Sequence, residues 1–91
     1  MADVLHATAT YSGQVQGVGF RYAVLQAAKE FEVAGWAANL ADGRVLIETE
    51  GRESEVEAFL AAVLERMHGH VRKIERSGSR REARFTGFTI K

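Results

Sequence analysis

Two hydrophobic periods take turns along this chain, and their order restricts it to very few folds. Leu5, Ala7, Ala9 and Tyr11 alternate with His6, Thr8, Thr10 and Ser12, the pattern of a strand with one buried face. Phe20, Val24, Leu25, Ala28 and Phe31 then fall at helical spacing, and Gly35 is placed to end that helix. The segment GWAANL predicts a strand, ADGR a turn and residues 45–50 the returning strand, with Asp42-Gly43 as a hairpin signal. Ser54 followed by Glu57 has capping-box spacing. Val56, Phe59, Leu60, Val63, Leu64 and Met67 give this second helix a continuous apolar stripe, closed by Gly69. Residues 71–77 predict a fourth strand and FTGFTIK a short final one, leaving an exposed loop over residues 78–84. The order is strand–helix–strand–strand–helix–strand plus a short terminal strand. It implies an α+β, ferredoxin-like sandwich, with both helices on one face of an antiparallel sheet.

Ninety-one residues suit one domain, 1–91, whose 46 % hydrophobic content is ordinary for a globular fold. Without cysteine there is no disulfide and no thiolate metal site, so stability must come from packing. The first ten residues carry neither a basic stretch nor an apolar run, and no segment approaches about 20 apolar residues. These features lead us to expect a cytoplasmic protein with no membrane partner. The net charge is zero, where a general nucleic-acid binder would show a basic excess. Charge is nonetheless uneven: six basic and two acidic residues lie from Arg72 to Arg84, while Glu48 to Glu57 is mostly acidic. Such runs are ordinarily solvated faces.

Between the first strand and the first helix lies GQVQGVGFR, residues 13–21. Gly13, Gly17 and Gly19 give access to backbone angles closed to other residues, so successive N–H groups can turn toward a single anion. The helix that follows adds its own unpaired N–H groups and the positive end of its dipole. No Ser, Thr, Asp or Asn caps that helix, and Arg21 stands in its first turn, where a cation is disfavoured. A phosphate at the site would reconcile both features. The planar guanidinium of Arg21 can hold two phosphate oxygens together.

In the expected topology the first strand and GWAANL run parallel, separated by the third strand. Their C-terminal ends lie roughly 10 Å apart at two strand spacings, which brings Asn39 opposite the glycine loop. Asparagine is depleted in strands. By itself Asn39 would be a turn former ahead of ADGR, but opposite Arg21 its amide can orient a water molecule. No GxxxxGK[ST] loop and no Ser/His/Asp or Cys/His set is present. His6, His68 and His70 have neither metal spacing nor an evident carboxylate partner and are expected at the surface. Glu48 and Glu50 share one strand face outside the cleft and are expected to be solvated. A site without acid or base suits an acyl phosphate, whose carboxylate leaves without protonation, so positioning and charge stabilisation suffice.

The sequence resembles the acylphosphatase family. GQVQGVGFR is similar to its phosphate-loop motif, and GWAANLADGRVLIETEG at 35–51 to its second signature, at the correct separation. The likeness runs over roughly residues 5–91, final FTGFTI included. It implies a small stand-alone hydrolase that splits acyl phosphates into a carboxylate and inorganic phosphate, the latter also an inhibitor. Arg21 and the N–H groups of Gln16, Gly17, Val18, Gly19, Phe20 and Arg21 would bind the phosphate, and Asn39 would hold the attacking water. No metal or cofactor is implied, and a monomer is expected. Ala38 departs from the pattern, since many relatives carry a basic residue there. Two other readings stay open: a non-catalytic anion-binding module, and an RNA-binding module using the basic segment Arg72 to Arg84.

Overall fold

A computed structural model describes residues 3–91. Its element order is β1 (Val4–Gly13), α1 (Phe20–Ala28), β2 (Val33–Asn39), β3 (Val45–Gly51), α2 (Glu53–Met67), β4 (Val71–Arg81) and β5 (Phe88–Ile90). The sheet order is β4-β1-β3-β2-β5. The four long strands pair antiparallel, as expected. The short terminal strand instead joins β2 in parallel, which makes the sheet mixed.

The alternation in β1 translates directly into layers. Ala7, Ala9 and Tyr11 turn inward and meet Ala37, Val45 and Ile47 of the neighbouring strands beneath Phe20 and Val24 of α1 and Val56, Phe59 and Val63 of α2. Tyr11 packs on Phe20 with ring centroids 5.2 Å apart, and Phe59 of α2 takes Phe31 on one side and Phe88 on the other. Burial pushes the Tyr11 hydroxyl up to about 12, against a lowering by Arg76, so it stays neutral at physiological pH.

Several boundaries differ from the sequence pattern. The first helix stops at Ala28 because Lys29, Glu30 and Phe31 donate three residues back in a tightened last turn. The Glu32 N–H then goes to Glu55 Oε1 at 2.7 Å. Gly35 therefore ends no helix. It lies within β2 at φ 145°, where a Cβ would stand 2.0 Å from the carbonyl oxygen of Glu48, so only glycine fits. The second helix starts one residue before Ser54, with Arg52 as N-cap and no side-chain cap. Glu57 closes no capping box because Arg76 of β4 holds it with both guanidinium arms, at 2.9 and 2.6 Å. Glu53 and Glu55 favour the helix start through the dipole.

β4 runs on to Arg81, well past residue 77, because β1 offers pairing partners as far back as Val4. Part of the expected loop is thus strand. Its cations face the acidic run: Arg76 meets Glu57, Arg80 meets Glu53 and Arg81 meets Glu50. The uneven charge seen along the sequence is therefore largely complementary in space.

Glu50 is the clearest correction. It is only 2 % exposed, not solvated. From the face of β3 opposite the helices its Oε2 accepts the N–H groups of Arg84 and Phe85 at 2.6 and 2.8 Å, and Arg81 donates to Oε1 at 3.3 Å. It fastens the segment that crosses the sheet from β4 at one edge to β5 at the other. Burial alone would raise the Glu50 carboxyl, but those N–H groups and the guanidinium outweigh it and leave it below its ordinary 4.5. His6, beside it, has a carboxylate partner after all: Nε2 donates to Glu48 Oε1 at 3.0 Å.

Because the folded-state carboxyl of Glu50 is depressed, its stabilisation is complete above the unfolded value and fades as pH falls through the folded one. Glu50→Ala is expected to lose about 2–4 kcal/mol in urea unfolding at pH 7. The gap to the parent should narrow in acid, below the ordinary carboxyl value. A gap independent of pH would refute this role.

Candidate functional site

The site forms at the end of the sheet where β1 and β2 both finish, with β3 between them. The glycine loop leaves β1 at Gly13, and Gln14 donates its N–H to the His70 carbonyl at 2.9 Å, which ties the loop's stem to the start of β4. Farther on, Gly17 and Gly19 have φ of 79° and 76°, the left-handed region that L side chains avoid. Gly19 is itself the N-cap of α1 and supplies no side-chain cap, as the sequence suggests. The first helical bond runs from Ala23 N–H to Gly19 O at 2.9 Å. Among the described residues, the N–H groups of residues 16–21 have no main-chain carbonyl partner. Six donors and a helix N-terminus thus share one loop.

Val15, Gly17, Gly19 and Phe20 form one side of a cavity of about 180 Å³, and Arg21 and Asn39 face it from α1 and from the last residue of β2. The two side chains that sequence reasoning placed opposite each other therefore meet one space. Arg21 Nη1 donates to the main-chain oxygen of Lys91 at 2.6 Å, which fixes one arm and leaves the other donors of the fork available. Phe20 contributes main chain to the loop, while its ring lies in the core on Tyr11. Val18 is exposed between the two glycines. Among the described residues no carboxylate, thiol or imidazole side chain lines the cavity. Among the described residues no group of three His, Cys, Asp or Glu could hold a metal ion.

Three participants escaped the sequence reading. The sequence points to Gln16 only through its main-chain N–H, yet its side-chain Nε2 donates to the carbonyls of Leu40 and Arg44 at 2.8 and 2.9 Å. It clamps the loop to the β2–β3 turn, the turn that follows Asn39. Tyr22 and Ile90 also line the cavity. Tyr22 carries no signal in the helical pattern, being off the buried stripe. Ile90 enters because β5 pairs beside β2, and three residues are too few to announce a register.

A family model described as Acylphosphatase matches residues 7–90. The chain belongs to the acylphosphatase family. Among curated acylphosphatases, that of Oceanobacillus iheyensis is 52 % identical over 58 residues, which is 64 % of each chain. That of Bacillus subtilis is 51 % identical over 51 residues, 56 % of each chain. These alignments thus span less than two thirds of those relatives' length. The crystal structure of acylphosphatase from Bacillus subtilis superposes with a TM-score of 0.85 at 36 % identity, covering 96 % of this chain and 98 % of that one. The acylphosphatase from Coxiella burnetii, at 23 % identity and TM-score 0.81, shares the fold.

Within this acylphosphatase-family chain, the Gln16 clamp has a measurable consequence. Gln16→Leu removes both side-chain hydrogen bonds at near-constant volume and leaves the Leu40 and Arg44 carbonyls only their turn partners, the N–H groups of Gly43 and Leu40. Two lost hydrogen bonds are expected to cost about 1–3 kcal/mol in urea unfolding. Backbone relaxation of Gly17–Gly19 by NMR should report a looser loop. An unchanged unfolding curve together with an unchanged loop would contradict the clamp.

Proposed function

We propose that the protein is an acylphosphatase: it hydrolyses the carboxyl–phosphate bond of acyl phosphates to a carboxylate and inorganic phosphate. What carries the reading is the presence of Arg21, Asn39 and a loop of unpaired N–H groups on the walls of one cavity. The phosphate lies in the loop with its oxygens on the N–H groups of residues 16–21, at the positive end of α1. Arg21, steadied by Lys91 O, holds phosphate oxygens and neutralises charge as it shifts during transfer.

The Asn39 amide accepts from a water molecule through its oxygen and donates to phosphate through its nitrogen, setting the water in line with the scissile bond. The water oxygen forms a bond to phosphorus as the bond from phosphorus to the acyl oxygen breaks. The electron pair leaves on the carboxylate, and the water's proton passes to a phosphate oxygen. A carboxylate needs no proton to depart, which accounts for walls without an acid or base. Inorganic phosphate, the product, occupies the same donors and inhibits. We place the protein in the cytoplasm as a monomer with no nucleic-acid or membrane partner. The rival RNA-binding reading finds little support, since Arg76, Arg80 and Arg81 of the basic segment are paired with carboxylates.

Benzoyl phosphate hydrolysis tests the assignment. Arg21→Ala is expected to lower kcat/KM by at least about 10²–10³, with weaker inhibition by phosphate. Arg21→Lys should recover little, because an ammonium cannot span two oxygens. Asn39→Ala should lose turnover while phosphate still inhibits. A variant with normal turnover at either position would overturn the assignment. EDTA should leave the rate unchanged, since among the described residues no carboxylate, thiolate or imidazole lies on the wall.

A further inference from the structure

Large apolar side chains left in solvent are concentrated around the mouth of this cavity. Among the described residues five are exposed, and three of them belong here: Val18 at 40 %, Tyr22 at 62 % and Ile90 at 39 %. Tyr22 and Ile90 line the cavity, and Val18 stands between the two glycines that do. They come from the loop, from α1 and from β5, three segments with no local reason to expose such groups together. Scattered single exposures are ordinary; a ring around a polar floor is not.

The charges are arranged to match. Among the described residues, Arg21 is the one ionic side chain on the wall. Lys91 follows Ile90 directly, but strand alternation sends it to the opposite face, where its Nζ lies 4.1 Å from the centre of the Trp36 ring. Arg44, on the turn after Asn39, is held by Asp42 at 2.7 Å. Among the described residues that line the cavity, a group projecting outward from the phosphate site therefore meets Tyr22 and Ile90 and no cation besides Arg21.

Resting on the hydrolase reading above, we infer that Val18, Tyr22 and Ile90 form a collar that selects the acyl group. The preferred substrates are acyl phosphates with an aryl or alkyl acyl group, and those whose acyl group carries a second anion are disfavoured. An aryl ring gains by covering the collar. A second carboxylate or phosphate would lose water there without finding a partner, and that cost falls on binding and transition state alike. Discrimination thus uses both an attraction and a penalty, supplied by residues that take no part in phosphate transfer through their side chains.

Three compounds separate these effects: benzoyl phosphate, acetyl phosphate and 4-carboxybenzoyl phosphate, whose rigid ring carries a second charge that cannot reach the scissile bond. Each kcat/KM is divided by the uncatalysed rate. The parent protein should favour benzoyl phosphate over each of the other two by about tenfold or more. Tyr22→Ser should shrink the benzoyl-to-acetyl ratio several-fold. Ile90→Lys, which places a cation on the rim, should raise 4-carboxybenzoyl phosphate relative to benzoyl phosphate. Both positions are exposed, so circular dichroism should report an intact fold. Equal normalised kcat/KM for all three compounds would overturn the collar while leaving the hydrolase reading in place, as would variants that leave the ratios unmoved. Failure to hydrolyse any of the three would overturn the hydrolase reading itself, and the collar with it.

Discussion

The insertion of β3 between two parallel strands is the constraint on which the site depends. A strand, a helix and a second parallel strand must cross over right-handedly, and here they leave a gap of one strand between β1 and β2. β3 fills it antiparallel, bonded to both neighbours along its length. Two consequences follow together. The loop after β1 and the last residue of β2 arrive at the same end of the sheet, about two strand spacings apart. That interval leaves room for a tetrahedral anion and a water molecule, with a helix N-terminus aimed at it. Chemistry is placed by backbone topology first and by side chains second.

The rest of the molecule holds that end steady from several directions. Gln16 joins the loop to the β2–β3 turn, and Gln14 joins its stem to His70 before β4. Arg21 is steadied by Lys91, whose N–H reaches Ala37 O at 2.8 Å on the neighbouring strand. β5 itself is three residues long and depends on Phe88 packing against Phe59. At the other end of the crossing segment the buried carboxylate of Glu50 fastens Arg84 and Phe85. In the proposed reaction, preorganisation of this kind keeps donors fixed where charge moves.

The sequence made the long elements legible because their periodicities were unambiguous. Ala7, Ala9 and Tyr11 could only be one face of a strand, and the α2 stripe could only be helical. The glycine loop was legible too: left-handed backbone at Gly17 and Gly19 is local chemistry, and glycine announces it. What escaped reading was set by partners distant in sequence. Gly35 looked like a helix terminator, but its true constraint is the Glu48 carbonyl on the adjacent strand. Glu57 had the spacing of a capping box and was taken by Arg76 instead. Glu50 looked like a solvated charge because its donors lie more than thirty residues away, in a segment with no pattern of its own. Charge complementarity between α2 and β4 was visible only as two uneven stretches.

The central claim is that a ring of main-chain N–H groups, with Arg21 and Asn39, holds a phosphate. A titration of the ¹⁵N-labelled protein with inorganic phosphate, followed by NMR, tests it most directly. The account predicts saturable shifts concentrated in the backbone amides of residues 16–21 and the side-chain amide of Asn39. Shifts absent from that loop, or centred on the basic strand from Arg72 to Arg81, would contradict it.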